Sequence, residues 1–288
     1  MIFYFSGTGN TKWVAQQIAS AIEEELVYIP DAIRAGRYEY TLAEGERIGF
    51  CFPTHGWQPP RIVREFVGNL KIRGRRKEER GRTFEEGERT FEERERTFEE
   101  RERRNELQSE GVFCWALTTC GDSTGETMTI LNRDLAAKGL RAETQFSVIM
   151  PESYVCLPFM YTDTPEREQE KIENARRQMH HIISIIKDCR RGVEELDKGA
   201  TPRLYSYVIG AYFNRKMVTD KKFMVDDDVC TKCGKCTRVC PVNNIEGKPP
   251  VWNHNGQCTA CLACYHHCPV HAINYGERTR KRGQYYFK

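Results

Sequence analysis

Two runs near the carboxyl end, CTKCGKCTRVCP at residues 230–241 and CTACLACYHHCP at residues 258–269, decide what this part of the chain folds around. Each has the spacing C-x2-C-x2-C-x3-C-P, which is typical of ligands to [4Fe–4S] clusters. The tight first part of a run delivers three thiolates to one cube. The fourth, redirected by the following proline, reaches the other cube. We therefore assign four cysteines to each of two clusters: Cys230, Cys233, Cys236 and Cys268 to cluster 1, and Cys240, Cys258, Cys261 and Cys264 to cluster 2.

Zinc ribbons and disulfides are the alternatives for cysteine-rich runs. Structural zinc sites use cysteines in pairs and have no use for the third and fourth in each run. The other five cysteines are scattered and odd in number, which indicates reduced thiols rather than a disulfide framework. They are Cys51, Cys114, Cys120, Cys156 and Cys189. His266 and His267 fall inside the second run, where we expect packing or hydrogen bonding near a cluster.

Length and charge limit the classes of function. The 288 residues leave room for about two domains. A formal net charge of +3 is too small to favour nucleic acid or a membrane surface as a partner. The chain begins with MIFYF, without a basic leader or a long apolar run, so we expect no signal peptide and no transmembrane helix. The predicted compartment is the reducing cytoplasm.

Apolar runs alternate with amphipathic segments through much of the chain, the pattern of an α/β fold. Strands are predicted at residues 2–5, 26–29, 48–52 and 112–117, with a fifth ending at 146–150. Helices are predicted after residue 11 and at 62–70, 127–138 and 165–189. Five strands with helical crossovers predict a doubly wound parallel sheet.

Residues 82–102 are three near-identical heptads, RTFEEGE, RTFEERE and RTFEERE. The surrounding block 71–110 contains 13 Lys or Arg and 13 Asp or Glu, and therefore no net charge. Its i,i+4 Glu–Arg pairs favour a helix, but one phenylalanine per heptad is too few for a coiled-coil seam. We predict a solvated insertion over residues 71–110, partly helical or disordered. A protein-docking arm is the alternative.

Residues 191–222 separate the α/β pattern from the cysteine runs. Leu204 to Phe213 is aromatic-rich and roughly helical. We expect it to pack between two domains, because it is short and not lysine-rich as a membrane-surface helix would be. The predicted division is therefore an α/β domain at 1–190, a linker with an interdomain helix at 191–222, and a small α+β cluster domain at 223–288.

The loop Ser6-Gly7-Thr8-Gly9-Asn10-Thr11 lies between the first predicted strand and the first helix. Free backbone N–H groups and the helix dipole favour an anion at such a position. The two glycines let the backbone close around a phosphate, and the polar side chains add hydrogen bonds. The dinucleotide pattern G-x-G-x-x-G fails because residue 12 is lysine, and the Walker pattern is absent.

This loop resembles the flavodoxin pattern [Ser/Thr]-x-Thr-Gly-x-Thr, which holds the phosphate of FMN. The resemblance extends to PTHGW at residues 53–57 and TTCGDS at residues 118–123. It implies that Trp57 stacks on the isoalloxazine and that backbone groups of the second loop cup its pyrimidine edge. The second aromatic of many flavodoxins, a tyrosine, is missing there. The FMN-binding residues so implied are Ser6, Gly7, Thr8, Gly9, Asn10, Thr11, Pro53, Thr54, Gly56, Trp57, Thr119, Cys120, Gly121 and Asp122.

Other interpretations of these loops stay open. Trp57 is alternatively an exposed indole packed on Pro59 and Pro60. His55 is a proton donor to the flavin or a solvated loop histidine. Cys120 is interpreted as structural or incidental. Gly56 and Gly121 have the freedom to flip a peptide when the flavin changes its protonation.

With the cysteine runs included, the chain resembles the flavodoxin–ferredoxin fusion proteins of anaerobic bacteria and archaea. In that family an N-terminal flavodoxin-like domain precedes a two-[4Fe–4S] ferredoxin domain. The resemblance implies electron transfer between the clusters and FMN in low-oxygen metabolism, with unidentified redox proteins as donor and acceptor. A flavin-dependent reductase of a small molecule, fed by the clusters, is the alternative.

Two further points concern partners. No motif supplies a second nucleotide site for NAD(P)H, and no DNA-recognition motif supports an oxygen-sensing regulator.

Residues 226–288 contain nine Lys or Arg and five Asp or Glu. The basic residues of the tail either steer an acidic partner or belong to a solvated, frayed terminus. They are Arg278, Arg280, Lys281, Arg282 and Lys288.

Overall fold

A computed structural model of the protein describes residues 1–43, 45–74 and 112–287. Its first eight strands are β1 (Ile2–Tyr4), β2 (Leu26–Tyr28), β3 (Glu39–Leu42), β4 (Arg47–Pro53), β5 (Lys71–Gly74), β6 (Phe113–Cys120), β7 (Thr144–Ile149) and β8 (Glu194–Glu195). Six of them form one sheet in the order β2-β1-β4-β6-β7-β8. Every neighbouring pair in this sheet is parallel. The α/β class predicted from the sequence is therefore correct.

The predicted count of five strands is wrong, because the sheet has six. The additional strand β8 has only two residues, both glutamate, and pairs with Gln145 and Phe146 at the sheet edge. A polar strand this short has no apolar run by which to detect it. A second omission is the parallel pair β3–β5, which lies outside the main sheet. Residues 71–74 thus belong to a strand rather than to the predicted insertion, and residues 75–110 lie outside the described residues.

Helices cover both faces of the sheet. They are α1 (Asn10–Ile22), α2 (Ile29–Arg34), α3 (Arg61–Asn69), α4 (Thr127–Ala136) and α5 (Pro165–Lys187). Helices α2, α3 and α4 share one core with Phe3 and Phe50, whereas α1 and α5 share the other with Ile2 and Trp115. Adjacent residues of β1 thus point into opposite cores, as strand geometry requires. This is the doubly wound arrangement.

A helical run follows at residues 202–217, which we name the joint helix. It comprises α6 (Pro202–Leu204), a π-helical stretch (Tyr205–Ile209), α7 (Gly210–Tyr212) and a second π-helical stretch (Phe213–Met217). On its inner face, Ser206 Oγ donates to the carbonyl of Trp57 (2.9 Å) and accepts from the N–H of Glu126 (2.7 Å). A side chain at Gly210 would overlap the backbone of Gly56. The helix therefore packs closely on two loops at the carboxyl edge of the sheet.

The cysteine-rich part is a small α+β unit. It contains β9 (Phe223–Val225), α8 (Lys235–Val239), β10 (Ile245–Glu246), β11 (Val251–Trp252), α9 (Ala263–His266) and β12 (Ile273–Tyr275). Strand β9 pairs antiparallel with β12, and β10 with β11. Cys236, Cys240, Cys264 and Cys268 lie in its hydrophobic core. Among the helices of the described residues, none is long and apolar enough to cross a membrane.

Candidate functional site

The carboxyl ends of β1, β4 and β6 open into one cavity, which we name the edge cavity. The space in and immediately above it is about 990 Å³, a volume that includes open solvent. The strand order reverses beside β1, and ligands of open α/β sheets bind at such switch points. The cavity is lined by 13 of the 14 residues that the resemblance assigns to FMN: Ser6, Gly7, Thr8, Asn10, Thr11, Pro53, Thr54, Gly56, Trp57, Thr119, Cys120, Gly121 and Asp122. Gly9 is the exception, since it lies against Phe287.

Hydrogen bonds hold the loop 6–11 against the rest of the cavity. Gly9, at φ 97°, donates its N–H to Ser6 Oγ (3.1 Å). Thr11 Oγ1 bonds Thr119 Oγ1 (2.7 Å), and Asn10 Nδ2 donates to the carbonyl of Pro151 (3.0 Å). Helix α1 begins at Asn10, so its free N–H groups face this loop. Among the described residues, those that line the cavity include no lysine or arginine. An anion bound here depends on backbone N–H groups and hydroxyls, which fits a phosphate.

Trp57 and His55 both lie in the cavity wall. The indole Nε1 of Trp57 donates to Ser123 Oγ (3.1 Å), and its ring lies 4.6 Å from that of Tyr205. Ser123 and Tyr205 of the joint helix thus position Trp57. His55 is only partly exposed, and burial lowers its pKa to about 4. This burial and the lowered pKa do not fit a freely solvated histidine.

Glu152 is a wall residue that no sequence motif marks. Its Oε1 accepts hydrogen bonds from the N–H groups of Ser153 (2.9 Å) and Tyr154 (2.7 Å). Its side chain lies directly over Gly121, where a Cβ would overlap the carboxylate. Burial raises the pKa of Glu152, while the two backbone N–H groups and Lys171 oppose that rise. The cavity thus contains a carboxyl group that can hold a proton closer to neutral pH than an exposed glutamate.

The eight cysteines of the two runs line two further cavities. The first cysteine cavity is lined by Cys230, Cys233, Cys236 and Cys268. The second cysteine cavity is lined by Cys240, Cys258, Cys261 and Cys264. In each case the structure brings together three cysteines of one run and the last cysteine of the other. These are the two sets assigned above from the spacing.

The donor set around these cavities fits [4Fe–4S] cubes. The last cysteine of each run accepts a backbone hydrogen bond from the residue four positions on. Asn244 donates to Cys240 Sγ (3.2 Å), and Ala272 donates to Cys268 Sγ (3.2 Å). Such bonds to sulfur are a recognised control of cluster potential. No group of three or more potential ligands in the described chain is arranged for a single metal ion. A cube instead binds each iron through one cysteine.

The edge cavity and the second cysteine cavity share a wall. Cys261 and Leu262 line both of them. The loop 6–11 packs directly on this wall, because a Cβ at Gly7 would lie 2.8 Å from both Cβ and the carbonyl oxygen of Cys261. One cluster ligand is therefore in contact with the loop expected to hold phosphate.

The C-terminal tail packs on the loop 6–11. Phe287 donates its N–H to the carbonyl of Thr8 (2.7 Å), and Tyr285 Oη donates to Asn10 Oδ1 (2.6 Å). The tail also reaches the cluster unit, where Tyr285 donates its N–H to Nδ1 of buried His266 (3.0 Å). The other ring nitrogen of His266 bonds the carbonyl of Ser153 (2.6 Å). His266 thus has the structural role predicted for it.

Three basic residues of the tail, Arg278, Arg280 and Arg282, are engaged with the protein. Arg278 donates to the carbonyl of Cys156 (3.0 Å), and Arg280 pairs with Asp226 (3.2 Å). Arg282 donates to the carbonyl of Met160 and stacks over Tyr161 (3.6 Å). The frayed-terminus alternative is therefore wrong through Phe287. Lys288 lies outside the described residues.

Comparison with known proteins identifies one part of the chain. Residues 222–269 match the family described as 4Fe-4S dicluster domain. No curated protein matches the chain. Among solved structures, the Trp repressor binding protein from Bacillus subtilis matches at 11% identity. That match covers 67% of this chain and 100% of that one, with a TM-score of 0.33. The C-terminal unit is therefore a ferredoxin-like dicluster domain, which indicates iron–sulfur electron transfer.

Proposed function

We propose that the protein is an electron-transfer iron–sulfur flavoprotein of the flavodoxin–ferredoxin fusion type. It passes electrons between two [4Fe–4S] clusters and an FMN held in the edge cavity. The observation that supports this most strongly is the wall that Cys261 and Leu262 contribute to both cavities. It makes the proposed sites of cluster 2 and the flavin adjacent.

Fold and cavity both support FMN as the ligand. Strands β2-β1-β4-β6-β7 have the 2-1-3-4-5 order of flavodoxin-like sheets, in which FMN lies at the switch point beside β1. The helix that starts at Asn10 is long enough to offer free N–H groups to a phosphate. Trp57, held by Tyr205 and Ser123, is an aromatic side chain at the expected place for ring stacking.

The residues of the chain have separate tasks in this proposal. When bound, FMN exchanges one or two electrons and each cube exchanges one. Gly7 permits close approach of the phosphate loop to Cys261. Leu262 and Phe213 line the cavity with apolar surface and limit water there. In this wall Glu152, whose pKa burial raises, can hold a proton, and the neutral ring of His55 can donate or accept a hydrogen bond.

Glu152 and the open mouth of the cavity also favour a second candidate, a flavin-dependent reductase of a small molecule. A substrate that enters the mouth would have the Glu152 carboxyl within the same cavity. Stopped-flow kinetics separates the two functions. An electron carrier passes electrons rapidly to generic ferredoxin or flavodoxin acceptors and turns over no small molecule. Rapid oxidation by one specific metabolite would favour the reductase.

Anaerobic reconstitution with iron, sulfide and FMN tests the proposed cofactors. We expect about eight irons and one FMN per chain, since each of two cubes contains four irons. In Cys261→Ala we expect loss of cluster 2 iron, whereas Cys189→Ala, which changes a cysteine outside both cysteine cavities, retains the full content. Four irons in the unmodified protein, bound zinc, or no bound FMN would contradict the proposal.

A further inference from the structure

The two cysteine cavities differ in exposure and charge. Cys233, in the first cavity, is the one exposed cysteine among the described residues. Within the part of the chain that the structure describes, that cavity is lined by Lys232, Lys235 and Lys248 and by no carboxylate. The described residues that line the second cysteine cavity include no charged side chain apart from its cysteines. Both would hold a cube with the same ligands and the same charge. The lysines at the first cavity therefore exceed what a cube itself requires.

The cations are gathered beside the exposed ligand. A Cβ at Gly234 would lie 2.7 Å from Cε of Lys248, so this side chain crosses the loop next to Cys233. Arg238 Nη1 donates to the carbonyl of Cys233 (3.2 Å). Lys235 Nζ lies 5.4 Å from the ring centre of Tyr286. We name these four residues the cluster-1 rim: Lys232, Lys235, Arg238 and Lys248.

The positive charge of the rim is available to a partner. Within the described chain, no rim residue forms an ion pair with a carboxylate, whereas Arg280 of the tail pairs with Asp226 and Glu277. Asp227 and Asp228 are exposed and precede the first run, but they do not line the cavity. Pro269 and Val270, both exposed, add apolar surface to the cavity wall. Apolar surface bordered by charge is typical of protein interfaces.

We propose that the cluster-1 rim is the docking surface for an acidic one-electron carrier protein. Its acidic patch is complementary to the rim and brings its redox centre to Cys233. One electron leaves reduced cluster 1 and reduces the oxidised centre of the carrier, or the reverse, with no bond made or broken. The inference rests on the proposed function only in requiring cluster 1. It places the flavin at the cluster 2 end and the partner at the cluster 1 end.

Binding and electron exchange with two probes of opposite charge test this surface. The probes are an acidic plant-type [2Fe–2S] ferredoxin and basic cytochrome c. The test variant is Lys232→Gln/Lys235→Gln/Lys248→Gln in the reconstituted full chain. The matched control, Arg176→Gln/Arg177→Gln/Lys187→Gln, removes the same charge from exposed positions of α5. Iron content is measured for every protein, and affinity is measured by calorimetry.

We expect the rim variant to bind the ferredoxin about tenfold more weakly at low salt, and its second-order rate constant to fall similarly. The control should match the unmodified protein, and the difference should shrink at high salt. If Lys235 proves necessary for iron incorporation, Lys232→Gln/Lys248→Gln carries the same test. Unchanged ferredoxin affinity in the rim variant, or an equal loss in the control, would overturn the proposal. Absence of FMN would leave this result intact and would count against the proposed function alone.

Discussion

Gly7→Ala tests the contact between the phosphate loop and cluster 2. Gly7 does not have a positive φ, so alanine fits its backbone conformation and the effect is steric. The new Cβ would lie 2.8 Å from Cβ and the carbonyl oxygen of Cys261 and 3.3 Å from its Sγ. Ordinary contacts between such atoms are about 3.5–4.0 Å, so one loop must move by more than about 0.5 Å.

The size of the effect depends on which atoms of Cys261 the new Cβ contacts. Cys261 Cβ and its carbonyl oxygen are close to the backbone and have no flexible end to displace. Overpacking of this kind costs about 1–3 kcal/mol. If the phosphate loop moves, that cost corresponds to a roughly 5- to 160-fold weaker FMN affinity. If Cys261 moves, the cluster 2 signal in electron paramagnetic resonance should change.

The assay is FMN titration by fluorescence quenching in the reconstituted protein, with iron content and cluster spectra measured on the same samples. Gly68→Ala is the matched control, because a Cβ there meets no atom within 4 Å. It should leave both measurements unchanged. A Gly7→Ala protein with unaltered FMN affinity and an unaltered cluster 2 spectrum would refute the contact.

Three further predictions concern the same sites. Since the pKa of His55 falls from 6.5 to about 4 on folding, the unfolded chain takes up a proton first as the pH drops. Between pH 7.5 and 5.5 this proton uptake should lower the free energy of unfolding, measured in urea, by about 1.4 kcal/mol. His55→Gln should lack that contribution. A variant that loses as much stability as the unmodified protein over this pH range would contradict the prediction. Tyr285→Phe, which leaves Asn10 Oδ1 without its phenol donor, should weaken FMN binding by about 1 kcal/mol in a fluorescence titration, unlike Tyr286→Phe. Unchanged binding would exclude the tail contact from the site. Deletion of residues 75–104 should leave iron and FMN contents unchanged, and loss of either would show that the heptads support the fold.

The cysteine sets and the main strands could be predicted because their signals are local. The spacing within each run limits which thiolates can reach one cube, and β4 and β6 are apolar enough to be detected as buried strands. Strand β8 was missed because its place in the sheet depends on pairing with β7 and not on its own residues. Strands β3 and β5 were missed because each has only four residues with polar side chains at alternate positions, so neither is an apolar run.

The cavity was predicted only from its three loops. Glu152, Tyr205 and Phe213 complete or support its wall from distant segments, and no motif or spacing connects them with the loops. The C-terminal tail also has interactions that the sequence does not predict. In the sequence, its basic residues indicate a charged surface. Their hydrogen bonds to main-chain carbonyls depend on tertiary packing and therefore could not be predicted. For the tail, a surface that steers an acidic partner was one of two alternatives, whereas we propose the cluster-1 rim for that role.

Stopped-flow reduction tests the central claim, that electrons pass inside the protein between cluster 2 and the flavin. Protein with both clusters and FMN is mixed with a low-potential one-electron donor, and flavin absorbance is followed beside that of protein with FMN but no iron. The account predicts that flavin bleaching in the complete protein includes a fast phase whose rate becomes independent of donor concentration. Bleaching at the same bimolecular rate with and without the clusters would contradict it.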